Sequence, residues 1–166
     1  MIVLERAVIS ELDECYAIVD SGRRFQREQG FVQWTDDYPD FDTVKDDIMT
    51  GRGYVLKDGG ELAGYMFITL DGEPAYKDID GAWHSDGPYA AVHRIAFSPK
   101  FRGRGLAGEA WSLISGYCRA LGAASIRIDT DFPNTRMQHV LEKNGFRRCG
   151  IIMFQGSGKI AYDKLL

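Results

Sequence analysis

The sequence predicts an α+β fold: a mixed, mainly antiparallel central sheet of about seven strands, flanked by helices on both faces. Antiparallel pairing is indicated by two apolar runs within residues 53–68, which a tight turn at Asp58-Gly59-Gly60 separates. A second pair of apolar runs, at 146–154 and 159–165, closes the chain in the same way. Helical spacing of apolar residues from Leu106 to about Leu121 predicts a long helix between the two pairs.

The first third of the chain predicts one strand and two helices. Residues 2–7 form an apolar run that is typical of a strand. Ser10 is the expected N-cap of a helix that reaches about Gln29. A short helix follows, and Asp42 or Thr43 is expected to cap it.

Residues 71–88 contrast with the elements around them, because Gly, Pro and Asp interrupt every apolar run there. We expect a long connection without regular structure, and such connections are often functional. Strands are predicted at 90–97 and 125–130, and a helix is predicted over 134–144. The whole chain, 1–166, is expected to form a single domain, because this length suits one core.

Composition narrows the class of protein. The chain has 20 Lys and Arg against 24 Asp and Glu, a net charge of −4, which argues against nucleic acid as a partner. It has no apolar run long enough for a membrane span. Cys15, Cys118 and Cys149 are too few and too scattered for a disulfide framework or a zinc site. We therefore expect a cytoplasmic protein with reduced thiols, no metal and no membrane partner, either a monomer or a homodimer.

A basic, glycine-rich stretch, Arg102-Gly103-Arg104-Gly105, joins the 90–97 strand to the long helix. The first amides of a helix have no internal partners, and the helix dipole favours an anion there. Glycines leave the backbone open to a phosphate, and arginines add charge-assisted hydrogen bonds. The stretch predicts a site for a phosphorylated ligand.

Two phosphate motifs can be compared with this stretch. Gly103, Gly105 and Gly108 satisfy the dinucleotide pattern G-x-G-x-x-G, but residues 98–102 separate them from the strand, and Pro99 ends that strand. The further βα repeats of a dinucleotide fold are also missing. The P-loop is excluded because no Gly-Lys-Ser/Thr follows.

Three segments, in order, resemble the GCN5-related N-acetyltransferases (GNAT). Arg102-x-x-Gly105-x-Ala107 is similar to their acetyl-CoA signature. Ile95-Ala96-Phe97-Ser98-Pro99 resembles the strand that precedes it, and Asn134 with Glu142-Lys143-Asn144-Gly145-Phe146 resembles the helix and turn that follow. The resemblance is sharp over 89–146. It implies the GNAT fold, in which the arm of acetyl-CoA lies between two splayed strands.

The resemblance implies an acetyl-CoA-dependent N-acetyltransferase that moves the acetyl group to a primary amine by direct attack. The acceptor would be a small-molecule or peptide amine, with acetyl-CoA as co-substrate. The alternative is a non-catalytic domain of the same fold that binds a CoA ligand or regulates. The residues implied to bind acetyl-CoA are Ile95, Ala96, Phe97, Arg102, Gly103, Arg104, Gly105, Leu106, Ala107, Asn134 and Lys143.

The chain departs from the family where many members carry a tyrosine as general acid, because Leu141 occupies that position. His139 is two residues away, about 200° around the helix, so we expect it to face away from the cofactor. His93 is the candidate general base, because strand alternation places it on one face with Ile95 and Phe97 and imidazole titrates near neutral pH. A packed histidine is the alternative.

Two tryptophans are candidates for the acceptor side. Trp34 lies among carboxylates, and Trp83 lies in the 71–88 connection. Aromatic rings beside acidic groups suit an amine through cation–π contact and charge. The alternatives are a packed helix connection with a solvated acidic rim around Trp34, and a mere surface insertion at 71–88.

Overall fold

The computed structural model describes residues 1–166. Its α-helices are α1 (Leu12–Glu28), α2 (Phe41–Met49), α3 (Leu106–Ala120) and α4 (Thr135–Lys143). Its strands are β1 (Ile2–Arg6), β2 (Gly53–Asp58), β3 (Glu61–Thr69), β4 (Asp80–Gly81), β5 (Tyr89–Phe97), β6 (Ser125–Thr130), β7 (Arg147–Phe154) and β8 (Ser157–Leu165). The strands form one eight-stranded sheet in the order β1-β2-β3-β5-β6-β8-β7-β4.

The chain divides into two compact units, and β5 continues from one into the other. The first unit comprises Met1–Ile68 and His93–Leu113. In it, β1 and β3 pair antiparallel on either side of β2, with Leu4 opposite Leu56 and Val55 opposite Tyr65. A buried cluster from α1, α2 and these strands forms its core: Ala7, Leu12, Cys15, Ile18, Val19, Val44, Ile48, Val55, Leu62, Tyr65 and Ala96.

The second unit comprises Thr69–Val92 and Ile114–Leu166. Here β5 runs parallel to β6, whereas β6–β8, β8–β7 and β7–β4 are antiparallel. Its buried cluster joins the 71–88 connection to the sheet and consists of Tyr76, Ala91, Ile152 and Ala161. The mixed, mainly antiparallel sheet with helices is therefore confirmed, with one short strand more than expected.

That extra strand lies in the 71–88 connection, which is not structureless. Residues Pro74–Lys77 form a 3-10 turn, and β4 pairs with β7, Gly81 opposite Gly150. Two-residue strands carry too little periodicity to be recognised in a sequence.

Two helix starts and one hairpin turn also differ from the expected elements. Asp40, rather than Asp42 or Thr43, caps α2 by accepting from the Thr43 amide at 2.8 Å. Ser10 lies within a 3-10 turn, and Glu11 instead accepts from the Val8 amide at 3.0 Å. The closing hairpin turns at Gln155 and Gly156, where both residues have positive φ.

Helix α3 ends at Ala120, one residue before its expected end. Leu121 is 46% exposed, beyond the end of the helix, whereas Trp111 and Cys118 are buried. No helix of the chain is both long and apolar enough to cross a bilayer. The expectation of a single domain stays a prediction.

Candidate functional site

The glycine-rich turn ends directly at α3. Gly103 and Gly105 both have φ of 75°, the left-handed region that glycine adopts without steric cost. A Cβ placed on either one would meet no atom within 4 Å. The conformation, and not crowding, therefore requires glycine, and it directs the exposed backbone of the turn into the first amides of the helix that starts at Leu106.

The two arginines of this turn have different surroundings. Arg104 is exposed, and its guanidinium lies 5.8 Å from the centre of the Phe101 ring. Arg102 packs on α1 instead, where its Nη2 donates to Ser21 Oγ at 3.0 Å and its guanidinium lies 4.4 Å from the centre of the Phe25 ring. In this conformation Arg104 is the better-placed cation for a phosphate.

The Ile95–Phe97 segment of β5 lies close against β3. The Ser98 amide donates to the Ala63 carbonyl at 2.9 Å, and a Cβ on Gly64 would lie 3.1 Å from the Ala96 carbonyl oxygen. Gly64 therefore sets how closely these strands approach. Ala96 is buried, while Ile95 and Phe97 are half-buried.

A buried polar cluster lies next to this segment, and it consists of Arg94, Asp47, Tyr65 and Tyr38. Arg94 Nε and Nη2 donate to the two carboxylate oxygens of Asp47 at 2.9 and 2.6 Å. Tyr65 donates to Asp47 Oδ2 at 2.7 Å, and Arg94 Nη1 donates to the Tyr38 hydroxyl at 2.8 Å. The charge of Asp47 is thus compensated by a bidentate pair and a phenol.

The surroundings of Tyr65 and Arg94 determine their protonation states. Burial, reinforced by the charge of Asp47, raises the pKa of Tyr65 far above its usual value, so its hydroxyl stays a donor. Burial lowers the pKa of Arg94 and is the largest single influence, but the hydrogen bonds to Asp47, the charge of that carboxylate and the neighbouring tyrosines together outweigh burial, so the pKa is raised. Tyr65 therefore stays protonated and Arg94 stays charged at neutral pH. Sequence analysis missed Asp47 and Arg94, because they are far apart in the chain.

His93, the candidate base, is half-buried beside this cluster. Its ring lies 5.9 Å from the ring of Phe67, and the Arg94 guanidinium lies 4.3 Å from the same ring. Arg94 also has φ of 55°, which interrupts regular strand geometry. The side chains of His93 and Arg94, two consecutive residues, therefore both lie near the Phe67 ring.

Trp34 packs against the core cluster of the first unit. A Cβ on Gly22 of α1 would lie 2.9 Å from the Trp34 ring and 3.2 Å from Ala96 Cβ. The helix runs unbroken through Gly22, so this glycine makes room for the tryptophan and does not end the helix. Trp34 is thereby placed near Ala96 of β5.

Arg23 of α1 holds the segment 35–39, which directly follows Trp34. Its Nε donates to the Thr35 carbonyl at 2.7 Å, and its Nη2 donates to the Pro39 carbonyl. Its Nη1 pairs with Asp20 at 2.7 Å, and the side chain is only 4% exposed. Both ends of the segment are thus fixed through backbone oxygens.

Trp83 belongs to the second unit. Its Nε1 donates to the Tyr76 carbonyl at 3.0 Å. The Arg127 guanidinium lies between two rings, 4.3 Å from the centre of Trp83 and 4.0 Å from that of Tyr89. This tryptophan already stacks on a cation supplied by the chain.

The remaining predicted residues lie on α4. Asn134 is buried and caps the helix by accepting from the Met137 amide at 3.1 Å. Lys143 is exposed at the other end, and Leu141 is fully buried. Leucine has no proton to give, so position 141 supplies no general acid.

Cys149 is half-buried, whereas the other two cysteines, Cys15 and Cys118, are buried. Burial, together with the carboxylate of Asp163, raises the pKa of its thiol to about 12. A thiol that stays protonated at neutral pH is a poor nucleophile. Cys149 is therefore poorly suited to form an acyl-cysteine.

Comparison of the chain with models of known protein families identifies its family. The model of the acetyltransferase (GNAT) family matches residues 12–146. The chain therefore belongs to the GNAT family of acetyltransferases, and the resemblance over 89–146 is confirmed. A comparison with curated protein sequences gave no match.

Solved structures agree with this membership. A GNAT-family acetyltransferase from Streptococcus agalactiae is 32% identical with a TM-score of 0.88, over 99% of this chain and 95% of its own. A GNAT acetyltransferase from Listeria monocytogenes is 21% identical with a TM-score of 0.77, over 99% and 95% of the two chains. The aminoglycoside acetyltransferase AAC(6')-Ib, solved with coenzyme A and kanamycin, shares the fold at 18% identity and a TM-score of 0.72, again over 99% and 95%.

Proposed function

We propose that this protein transfers the acetyl group of acetyl-CoA to a primary amine by direct attack. The observation that carries the proposal is the left-handed turn at Gly103 and Gly105, which presents open backbone at the start of α3. That geometry suits a pyrophosphate group, and membership of an acetyltransferase family supports acetyl-CoA as its source. The backbone of Ile95–Phe97, together with Asn134 and Lys143, is proposed to bind the rest of acetyl-CoA.

The proposed step needs a neutral amine. Its nitrogen attacks the thioester carbon, a tetrahedral oxyanion forms, and collapse breaks the carbon–sulfur bond. A backbone amide of Ile95–Phe97 is proposed to donate to the oxyanion. The proton lost from the amine passes to His93, directly or through water, and the thiolate leaves without a dedicated acid because thiols have a pKa near ~8.5.

The acceptor is proposed to be a small-molecule or peptide amine. Trp34 is proposed to contact it in the first unit, and Trp83 is proposed as a second contact. The distant relative AAC(6')-Ib, solved with the aminoglycoside kanamycin, supports an amine-bearing small molecule as a starting point. Trp34 is the stronger candidate, because Trp83 is already stacked on Arg127.

A thiol-release assay tests the proposal. Acetyl-CoA is supplied with a panel of aminoglycosides, polyamines, amino-acid amides and peptide N-termini, and free CoA is measured. We expect amine-dependent release with at least one class, and an acetylated amine detected by mass spectrometry.

The alternative, a non-catalytic CoA-binding domain, is favoured by one observation, the buried leucine at position 141. It predicts binding of acetyl-CoA by calorimetry without release of thiol for any amine. Absence of binding would instead remove both candidates, because each depends on the glycine turn.

A further inference from the structure

Three side chains with metal-binding atoms meet in the second unit, although the chain separates them widely. His84 comes from the 71–88 connection, Cys149 from β7 and Asp163 from β8. His84 Nδ1 lies 2.7 Å from Asp163 Oδ1 and 3.4 Å from Cys149 Sγ. The donor atoms of the three residues all lie within 4.8 Å of one another.

The backbone around Cys149 is shaped to produce this meeting. The β7–β8 register shifts between Arg148 and Gly150, which leaves Cys149 as an additional residue on β7. Such a bulge redirects a side chain from its regular position. Cys149 Sγ is thereby placed beside the end of β8 that carries Asp163.

Glycines in β4 and β7 let these strands approach closely, and His84 lies in the loop that follows β4. A Cβ on Gly81 would lie 2.1 Å from the Cys149 carbonyl oxygen, and a Cβ on Gly150 would lie 2.1 Å from the Asp80 carbonyl oxygen. Neither position accepts another residue without movement of the backbone. The close approach of β4 to β7 is what lets the following loop reach Cys149 and Asp163.

Asp163 is held from two sides by His84. Its Oδ2 accepts from the His84 amide at 2.7 Å, while Oδ1 faces the imidazole. The aspartate side chain is 1% exposed, and that of His84 is 26% exposed. One carboxylate oxygen is therefore fixed by the backbone, and the other is directed at the same point as the imidazole nitrogen and the thiol.

We propose that His84, Cys149 and Asp163 form a binding site for a zinc-type divalent cation. Sulfur, imidazole nitrogen and carboxylate oxygen are the ligands that Zn²⁺ takes in proteins. Tetrahedral bonds of the usual lengths place such atoms about 3.3–3.7 Å apart. The nitrogen–sulfur distance of 3.4 Å fits, and the nitrogen–oxygen distance of 2.7 Å has to widen as two metal bonds replace one hydrogen bond.

Charge and protons balance at this site. The thiol of Cys149 releases its proton to solvent on binding, so a thiolate and the carboxylate of Asp163 together neutralise the divalent cation. The imidazole also stays neutral: the proton on Nδ1, which hydrogen-bonds to Asp163 without metal, moves through solvent to Nε2, and the Nδ1 lone pair then binds the cation. Because the His84 side chain is 26% exposed, water is the fourth ligand that we propose.

Metal would fasten the 71–88 connection to β7 and β8, because the ligands come from all three. The expectation of a metal-free chain rested on cysteine spacing alone, and that spacing does not reveal a site assembled from one cysteine and two other residue types. The inference is independent of acetyl transfer, and its test does not use that activity.

Titration of the reduced protein with Co²⁺ tests the site. Cobalt bound to a thiolate gives a sulfur-to-metal charge-transfer absorption, and the colourless Zn²⁺ then displaces it. We expect a saturable band at one equivalent, bleached by Zn²⁺, and a melting temperature that rises with Zn²⁺ concentration. Absence of the band at saturating Co²⁺ overturns the proposal.

Two variants and a control assign the ligands. Cys149→Ala should abolish the charge-transfer band, and His84→Ala should weaken Co²⁺ binding at least about tenfold, no less than the loss of an outer-shell partner. Cys118→Ala, which removes a different free thiol, should leave the band unchanged. An undiminished band in Cys149→Ala, or wild-type affinity in His84→Ala, contradicts the site. His84 lies in a loop, so His84→Ala remains informative if Cys149→Ala does not fold.

Discussion

Arg94 donates two hydrogen bonds to Asp47 from a backbone in the left-handed region, with φ of 55°. An arginine seldom adopts this conformation, which costs about 1–2 kcal/mol for a residue with a Cβ. The ion pair is mostly buried, with side-chain exposures of 11% and 4%. The pair thus holds strained backbone in place directly before Ile95–Phe97, the segment proposed to bind acetyl-CoA.

Removal of the carboxylate should therefore destabilise the protein strongly. We expect Asp47→Ala to lower the free energy of unfolding by about 3–5 kcal/mol, because it leaves a buried guanidinium without its counter-ion. Urea unfolding measures the change. Asp46→Ala, at an exposed neighbouring position on α2, should change it by less than about 0.5 kcal/mol.

A double variant separates the ion pair from the strain. Asp47→Leu combined with Arg94→Met removes both charges while keeping side-chain volume. It should be less destabilised than Asp47→Ala, because both proteins leave the Tyr65 hydroxyl without its acceptor but only Asp47→Ala leaves an uncompensated buried charge. Equal losses in the two proteins would show that the charges are not the cause.

Gly105→Val should abolish acetyl-CoA binding in a protein that still folds. A β-branched residue resists φ of 75°, so the turn would change its path before α3. Isothermal titration calorimetry measures affinity, and circular dichroism checks the fold. Gly116→Ala is the matched control, because Gly116 lies within α3 with open space around it; this variant should bind normally and gain up to about 1 kcal/mol. Normal affinity in a folded Gly105→Val protein would remove the cofactor assignment.

Trp34→Ala should raise the KM for the amine far more than the KM for acetyl-CoA. The ring is proposed to contact the acceptor, and steady-state kinetics with each substrate varied in turn distinguish the two effects. Trp34→Phe should restore most of the acceptor KM. Phe132→Ala, at an exposed aromatic outside the proposed site, serves as the control. Parallel increases in both KM values would identify Trp34 as a packing residue.

His93→Ala should lower kcat by about 10²-fold, the smaller end of what a positioned base contributes. The acidic limb of the kcat/KM profile should also disappear or shift, while acetyl-CoA affinity stays near that of the wild type. His139→Ala, an exposed histidine on α4, should leave the profile unchanged. His93→Gln keeps hydrogen bonding without titration, so a wild-type rate and profile in that variant would assign His93 to packing.

Cys118 predicts a loss of stability in alkali. Burial raises the pKa of its thiol from 9.0 to about 12, so above pH 9 the unfolded chain loses a proton that the folded chain keeps. Stability contributed by this group is complete below pH 9 and declines as pH rises toward 12, by up to about 1.4 kcal/mol per pH unit. Urea unfolding between pH 8 and 11 should show a shallower decline in Cys118→Ala, whereas Ser112→Ala on the exposed face of α3 should follow the wild type.

Local pattern was enough to predict most of the fold. The 53–68 hairpin, β6 and α3 were predicted to within one or two residues, because apolar periodicity and glycine turns act over short distances. The glycine turn that is proposed to bind acetyl-CoA could be recognised for the same reason, since its residues are contiguous.

The parts that sequence analysis missed depend on distant partners. Asp47 and Arg94 are charged residues with no local sign that they are buried together. Cys149 is redirected by a bulge that exists only when β7 pairs with β8. The positive φ of Arg94 is likewise invisible in an apolar pattern, because it accompanies the ion pair that this residue makes with the distant Asp47.

The hydrogen bonds of Arg23 affect how easily the acceptor preference of such an acetyltransferase could be changed. It grips the Thr35 and Pro39 ends of one segment by backbone oxygens alone, so the identity of the side chains between them is not part of the grip. Asp36 and Asp37 are exposed in that interval, but Asp36 also accepts from Arg27 Nη2 of α1 at 2.8 Å. Exchange of Asp37 alone therefore leaves both the Arg23 and the Arg27 contacts in place. Since Trp34 is proposed to contact the acceptor, a library at position 37, built with Arg23 intact, is the change that would sample new amine preferences.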